Sequence, residues 1–238
     1  MQSDLPKVLL PVCGRPMIHF VLDALRSAGF QDQCVVVGHA ADKVIAELST
    51  RAVPVQTAVQ REQLGTGHAV MQCLDLLRTR TGPVIVLAGD SPLVQPDSLV
   101  RLLGEFESRR PALLLGTLLK DDPTGLGRIL RDTQGDFVGI VEHRDATPEQ
   151  RLIREVNMST YLFHAPDLVD ALARIGNLNS QGEYYLTDCA AELHRSGRPV
   201  VAMPVLQPCE ALSINNPDEL ATVDQTMRRM GYAVVTAS

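Results

Sequence analysis

Apolar residues along this chain recur first at the spacing of a helix and then in short runs. Over residues 16–28, Met17, Phe20, Val21, Ala24, Leu25 and Ala28 fall on one face at intervals of about three to four, with Pro16 at the start and Gly29 just past the end. That spacing predicts a helix. The patterns that follow predict a strand over 34–37, a helix over 42–48, a strand over 53–57, a helix over 66–77, a buried strand over 84–87 and a helix over 97–106. Further on come a strand over 112–118 and two strands, 128–132 and 137–142, flanking Thr133-Gln134-Gly135-Asp136, which together predict a hairpin laid across the end of a sheet. A strand over 155–164, helices over 166–174 and 185–196, a short strand over 200–205 and a last helix over 217–230 complete the chain.

Alternation of strand and helix is the mark of βαβ units, so the predicted class is α/β: a Rossmann-like, mostly parallel sheet flanked by helices. A fold of that type ordinarily opens with a central strand feeding a phosphate-binding turn, whereas here the first clear strand follows a helix and residues 1–7 read as a loop. The expectation is that the first strand and its Gly-rich loop are missing from the chain start. No repeat, low-complexity linker or compositional break divides the sequence, which predicts a single domain over 1–238.

Composition narrows the classes. With 238 residues, 45% of them hydrophobic, the chain can bury one sizeable core. A net charge of −6 without a Lys/Arg-rich run gives no electrostatic footprint for nucleic acid or an anionic membrane, so neither is expected as a partner, while a small anionic ligand in a local pocket is not excluded. No apolar run approaches the ~20 residues of a membrane span and no basic-then-apolar leader opens the chain, which predicts a soluble cytoplasmic protein. Cys13, Cys34, Cys73, Cys189 and Cys209 lack the paired spacing of a zinc site or disulfide framework and are expected as reduced, mostly buried hydrophobes.

Several stretches carry candidate chemistry. Residues 60–69 read Q-R-E-Q-L-G-T-G-H-A, with two glycines and a threonine just before a helical pattern, where free N–H groups and the helix dipole can receive polar ligand atoms. A plain helix cap fits the same residues. Residues 84–93, V-I-V-L-A-G-D-S-P-L, end a strand in Gly-Asp, a place from which Asp90 could hold a magnesium ion or could merely cap the next turn. Gly125-Leu126-Gly127-Arg128 fails the dinucleotide fingerprint and alone reads as a turn. By residue type alone, Glu142, Asn157 and the run Asn177, Asn179, Gln181, Glu183 read as surface polars, and Asn215-Asn216 before Pro217 as a helix-entry turn.

Taken in order, S-D-L-P-K-V-L, E-Q-L-G-T-G-H-A, G-D-S-P-L, D-D-P-T-G-L-G-R-I, I-V-E-H-R-D-A-T, E-V-N, N-x-N-x-Q-G-E-Y-Y-L-T-D and I-N-N resemble the uridyltransferase domain of the bacterial GlmU-type N-acetylglucosamine-1-phosphate uridyltransferases, within the MobA-like NTP transferase superfamily. The resemblance implies a nucleotide-diphospho-sugar transferase fold, UTP and N-acetylglucosamine 1-phosphate as substrates, Mg2+ as cofactor, and UDP-N-acetylglucosamine and pyrophosphate as products. It implies Lys7 on a phosphate; Gln60, Gly65 and Thr66 reading uracil; Ala88, Gly89 and Asp90 along the nucleotide; and Gly127, Glu142 and Asn157 around the acetamido sugar. Asp90 and Asn215 would hold the metal, Lys7 and Asp90 would be catalytic, and residues 181–187 would wall the sugar pocket.

The sequence departs from the family in places. Met1 aligns with the last residue of the family's L-A-A-G-x-G-T-R-M motif, Ser159 stands where a glycine is common, and Ser213-Ile214 is an unusual lead-in to Asn215-Asn216. The hexapeptide repeat of the family's acetyltransferase half is not seen before Ser238, so neither acetyl transfer nor the trimer of that half is expected, and no oligomer is predicted. Two alternatives stay open: a degenerate relative that binds sugar nucleotides without turnover, and a pyrophosphorylase for another sugar 1-phosphate.

Overall fold

The computed structural model describes residues 5–179 and 181–234. Met1, with the Ser3 and Asp4 of the first family string and the Ser180 of a later one, lies outside them. In chain order the elements are β1 (Pro11–Val12), β2 (Arg15–Pro16), α1 (Met17–Ser27), β3 (Cys34–Val37), α2 (Ala41–Leu48), β4 (Gln56–Val59), α3 (Thr66–Met71), α4 (Leu74–Leu77), β5 (Pro83–Leu87) and α5 (Pro96–Arg109). Then follow β6 (Leu113–Leu119), β7 (Arg128–Arg131), β8 (Phe137–Val141), α6 (Pro148–Arg151), β9 (Glu155–His164), α7 (Ala165–Leu172), α8 (Thr187–Arg195), β10 (Val200–Met203) and α9 (Pro217–Arg229). The α/β class is as expected. No helix among the described residues is long and apolar enough to cross a membrane.

The chain falls into two compact units. One is assembled from residues 5–59, 88–100 and 207–234, the other from 60–87 and 101–206. Because each unit is built from separated stretches, no linker marks the division in sequence.

In the first unit, α1 is apolar on two adjoining faces and feeds two clusters. Ile18 and Leu22 pack with Leu9, Val37, Val44 and Leu48, while Met17 packs with Leu10, Val12, Leu93, Ile214, Val223 and Met227. Each such side chain, fully buried, is worth about 1.5–3 kcal/mol. β3 and β4 pair in parallel, Cys34 beside Gln56 through Val37 beside Val59. Strand β4 begins later than the predicted residue 53, because Pro54 has no N–H to give a ladder and the first bond runs from Gln56 N–H to Gln33 C=O at 2.9 Å. A partly buried polar chain ties α1 to α2: His19 Nε2 lies 2.8 Å from Glu47, and Arg51 bridges His19 Nδ1 at 2.9 Å and Asp23 at 2.8 Å.

The second unit is built on a six-stranded mixed sheet. Along it run β10, β6, β9, β7 and β8, with β5 also paired to β9. β6 is parallel to β10 and antiparallel to β9, as are β5 and β7, so β5, β6, β7 and β10 point one way while β8 and β9 run against them. α3, α4, α7 and α8 supply Val70, Leu77, Leu168, Leu172, Cys189 and Leu193 to the core above Leu113, Leu115 and Phe163. The predicted hairpin at 128–142 is present as β7 and β8. The predicted helix 66–77 is two helices, because the amide of Gln72 bonds the His68 carbonyl at 2.9 Å and the last turn of α3 closes on i−3 acceptors. Strand β5, expected to be buried, is only half-buried over Val84–Leu87, with β9 as its ladder partner among the described residues. Of the cysteines, Cys13 and Cys189 are buried and the other three half-buried.

Candidate functional site

In the first unit the site begins with backbone. Pro6 leads into a 3₁₀ turn, Lys7–Leu9, closed by Leu9 N–H to the Pro6 carbonyl at 2.9 Å and Leu10 N–H to the Lys7 carbonyl at 3.1 Å. Leu9 and Leu10 then enter different apolar clusters, which fixes the turn and leaves Lys7 on its outer side. After β5 the chain passes Ala88 and Gly89. A Cβ at Gly89 would stand 3.1 Å from Ile18 Cδ1, so that the isoleucine tip would have to give slightly, and 3.6 Å from Val8 Cγ1, an ordinary contact, which places this backbone against α1 and the lysine turn.

Lys7 Nζ lies 2.6 Å from Asp90 Oδ2 and donates to Asn215 Oδ1 at 3.2 Å. With side-chain exposures of 36% and 33%, the Lys7–Asp90 pair is screened by water and contributes only about 0–1 kcal/mol. Stability does not explain the arrangement; geometry does. The Asn215 amide donates to Ser213 Oγ at 3.1 Å and Glu219 Oε2 at 3.1 Å, so its oxygen is the end turned to the ammonium. One carboxylate and one neutral oxygen converging on a cation is a hard donor set that suits Mg2+, which proteins hold by one or two carboxylates together with phosphate oxygens. Among the described residues no group of three or more His, Cys, Asp or Glu side chains is placed to hold a metal ion by itself.

In the second unit, β9 carries an irregularity that makes its part of the site. Its residues pair with β6 as Thr160 beside Gly116 and Asn157 beside Thr117, so Met158 and Ser159 bulge out of register, and Ser159 takes a left-handed φ of 52°. On one edge the ladder partner changes there from β7, at Val156, to β5, from Thr160 onward. The bulge draws Asn157 and Tyr161 together: Asn157 Nδ2 donates to Tyr161 Oη at 2.7 Å, and Ser159 N–H donates to Asn157 Oδ1 at 3.3 Å. Burial pushes the Tyr161 phenol up to about 12, which keeps it neutral.

Gly127 joins the same place. Its carbonyl accepts from Asn157 N–H at 2.9 Å, and a Cβ on it would stand 3.4 Å from a carboxylate oxygen of Glu142. Burial first, then the negative charges of Asp145 and Asp188, raise the Glu142 carboxyl above its ordinary range. A cavity of about 390 Å³ opens here, lined among others by Glu142, Asp145, Asn179, Tyr185, Thr187 and Asp188. Asn179 folds the loop at its rim, accepting from the N–H groups of Gln181 and Glu183.

Gln60, Gly65 and Thr66 lie together elsewhere in this unit. The Gln60 amide donates to the Gly65 carbonyl at 3.1 Å and lies 3.0 Å from His68 Nδ1, which uses its N–H groups and leaves its oxygen to accept. Gly65, at φ 101°, and Gly67 are demanded by packing: a Cβ on Gly65 would meet the Tyr184 carbonyl at 2.6 Å, and one on Gly67 would meet Ile175 Cδ1 at 2.8 Å. Gly67 N–H donates to Tyr184 C=O at 2.7 Å and Leu186 N–H to Thr66 Oγ1 at 3.0 Å, so this run is bound to the 184–187 segment that borders the cavity.

The residues named in advance thus gather in three places: Lys7, Ala88, Gly89, Asp90 and Asn215 in the first unit, and Gln60, Gly65, Thr66 apart from Gly127, Glu142, Asn157 in the second. Glu219, which orients Asn215 together with Ser213, and Tyr161, Asp145 and Asp188, which surround Asn157 and Glu142, were not singled out from sequence, and Ser213 was noted only as an unusual lead-in. A carboxylate at the third position of a helix after Asn-Asn-Pro was the one available signal.

The architecture is that of an α/β protein built on a mixed sheet. A solved structure described as UDP-glucose pyrophosphorylase complexed with UDP-glucose superposes with a TM-score of 0.71, covering 95% of this chain and 91% of that one at 13% identity, a likeness of fold. The model of the MobA-like NTP transferase domain matches residues 1–181, and the chain belongs to that family. Among curated relatives, the "Bifunctional protein GlmU" of Pelotomaculum thermopropionicum is 43% identical over 229 residues, 96% of this chain and 50% of the relative. That of Syntrophotalea carbinolica is 44% identical over 230 residues, 96% of this chain and 49% of the relative. The chain spans about half the length of the curated relatives it matches.

Proposed function

We propose that this chain transfers a uridylyl group from UTP to N-acetylglucosamine 1-phosphate, giving UDP-N-acetylglucosamine and pyrophosphate. The observation that carries the proposal is the convergence of Lys7, Asp90 and Asn215 on one point, three side chains from distant stretches that match the phosphate and metal positions of the GlmU type. The likeness to relatives of that name over nearly the whole chain supports it. Turnover is favoured over binding alone, since the exposed Lys7–Asp90 pair and the Asn215 oxygen turned to it have no use that stability would explain.

The nucleophile is a sugar phosphate oxygen, already ionised at neutral pH, so no general base is needed. Catalysis reduces to alignment and to charge stabilisation at the α-phosphate and the leaving pyrophosphate. Lys7 supplies a fixed positive charge for a phosphate oxygen, with Ala88 and Gly89 as narrow backbone along the nucleotide. Asp90 Oδ2 and Asn215 Oδ1 would hold Mg2+, which when bound would supply positive charge against the phosphates. Gln60 offers its amide oxygen to the uracil imide N–H, with Gly65 and Thr66 beside it; a base lacking that donor would leave the oxygen unmatched. Gly127 gives room for the sugar between Glu142 and Asn157. A UTP-consuming reaction of this kind belongs in the cytoplasm, with small molecules as the only partners required.

The test is pyrophosphate release by the purified chain with UTP and MgCl2, comparing N-acetylglucosamine 1-phosphate with glucose 1-phosphate. A kcat/KM ratio of about tenfold or more for the acetamido sugar, ~1.4 kcal/mol in transition-state binding, is expected. Equal ratios point to another sugar 1-phosphate; nucleotide binding without pyrophosphate release would overturn the transferase assignment.

A further inference from the structure

We propose that Glu219 is a positioning residue for Asn215: its carboxylate fixes the amide so that Oδ1 faces the cation held with Asp90. This rests on the metal role proposed above for Asn215.

Asn215 is exposed, so no packing against its side chain selects between the two amide orientations, which differ by a half-turn. The backbone is anchored next door, where Ile214 is fully buried in the cluster shared with Val223 and Met227. Hydrogen bonds set the rotor. Oε2 of Glu219 accepts from the Asn215 backbone N–H at 2.6 Å and from Nδ2 at 3.1 Å, and Ser213 Oγ accepts from Nδ2 at 3.1 Å. Both amide hydrogens are spent on these two acceptors, and Oδ1 is left for Lys7 Nζ. A flipped amide would set its oxygen against the Glu219 carboxylate and its hydrogens against the Lys7 ammonium.

Glu219 is itself placed by the start of α9. Asn216 caps that helix, its Oδ1 accepting from Glu219 N–H at 2.9 Å, and Pro217 occupies the first helical position. A glutamate at this third position commonly reaches back to the N–H of the capping residue. Here it reaches one residue further, to Asn215. The helix start therefore serves the residue before it, and the unusual Ser213 has a use as the second acceptor.

The proposal is tested by titrating the nucleotide-free chain with Mn2+ and reading free Mn2+ by its electron paramagnetic resonance signal. Glu219→Ala should weaken Mn2+ binding about tenfold, the usual scale for a partner that orients a metal ligand. Glu219→Gln, neutral but with one carbonyl oxygen able to accept both N–H groups, should keep most of the affinity, and its thermal midpoint and that of Glu219→Ala should stay near the parent's. Loss in Glu219→Gln as deep as in Glu219→Ala would mean that the negative charge alone matters and would overturn the positioning role. So would unchanged affinity in Glu219→Ala when Asn215→Ala loses it. Affinity indifferent to Asn215→Ala would instead remove Asn215 from the metal and the functional proposal's metal centre with it. If Glu219→Ala fails to fold, Ser213→Ala, an exposed change that removes the other acceptor, must lower Mn2+ affinity for the proposal to stand.

Discussion

At the Lys7 cluster of the first unit, charged groups stand at the surface and satisfy one another, so that a ligand must exchange partners with them. Around Asn157 in the second unit, polar groups are sunk into the sheet and hold each other rigid, while Glu142 waits half-buried with a raised pKa. The first arrangement suits a charged, mobile ligand such as a metal-bound phosphate, whose binding energy comes from replacing one set of ions by another. The second suits a neutral polyol, which is recognised only if the acceptors and donors are in place beforehand.

Four substitutions would break or sharpen this contrast. Asp90→Ala should lower Mg2+-dependent pyrophosphate release by about 10²–10³, the scale of losing a main electrostatic stabiliser, with little change in the melting midpoint because the exposed ion pair contributes so little. A folded Asp90→Ala protein with near-normal turnover would remove the first cluster from the chemistry. In the second region the balance reverses. Tyr161→Phe leaves the Asn157 donor without its buried partner and should cost about 1–2 kcal/mol in denaturant melts while raising KM for the sugar phosphate more than it lowers kcat. Unchanged stability would show that the Asn157 amide is not preset by Tyr161.

Ser159→Gly should act in the opposite direction. A left-handed conformation costs a residue with a Cβ about 1–2 kcal/mol, so the substitution should stabilise the protein by ~1 kcal/mol in the same melts. A destabilised Ser159→Gly would mean that the serine side chain compensates its own strain. The smallest effect is expected from Glu142→Gln. Burial holds the Glu142 carboxyl above its ordinary 4.5, so the folded chain binds that proton more tightly than the unfolded one. Its contribution to stability is full below the unfolded value and is lost as pH rises through the folded one. The glutamine variant has no such loss, so its melting midpoint relative to the parent should climb from acid toward neutral pH; a constant gap would show that the carboxyl titrates as if in water.

What could be seen in advance followed the physics of periodicity. Helix α1 and strands β3 and β9 were legible because their apolar spacing is unambiguous, and the β7–β8 hairpin because Thr133-Gln134-Gly135-Asp136 is a turn in any context. The break between α3 and α4 was hidden, since it arises from one side chain, Gln72, competing for a carbonyl. The site residues came from likeness of strings, and periodicity alone would have passed over Glu142 and Asn157 as surface polars. Tyr161 had no reading of its own beyond its place in the predicted strand over 155–164. Its role depends on a two-residue bulge at Met158-Ser159, and a bulge shows only when the partner strand is known.

The lysine turn and the amide that faces it are joined across 208 residues of sequence, and Cys13 N–H meets Asp224 Oδ1 across 211. During synthesis at roughly 5–20 residues per second, about 10–40 s separate the emergence of Lys7 from that of Asn215. For that interval the ribosome-bound chain carries the lysine and, later, the aspartate without the oxygen that completes their cluster, and the apolar faces of β1 and α1 wait for Val223 and Met227 to cover them. A nascent chain stalled before α9 therefore keeps this apolar seam open to water, however well the sheet around β9 has already folded.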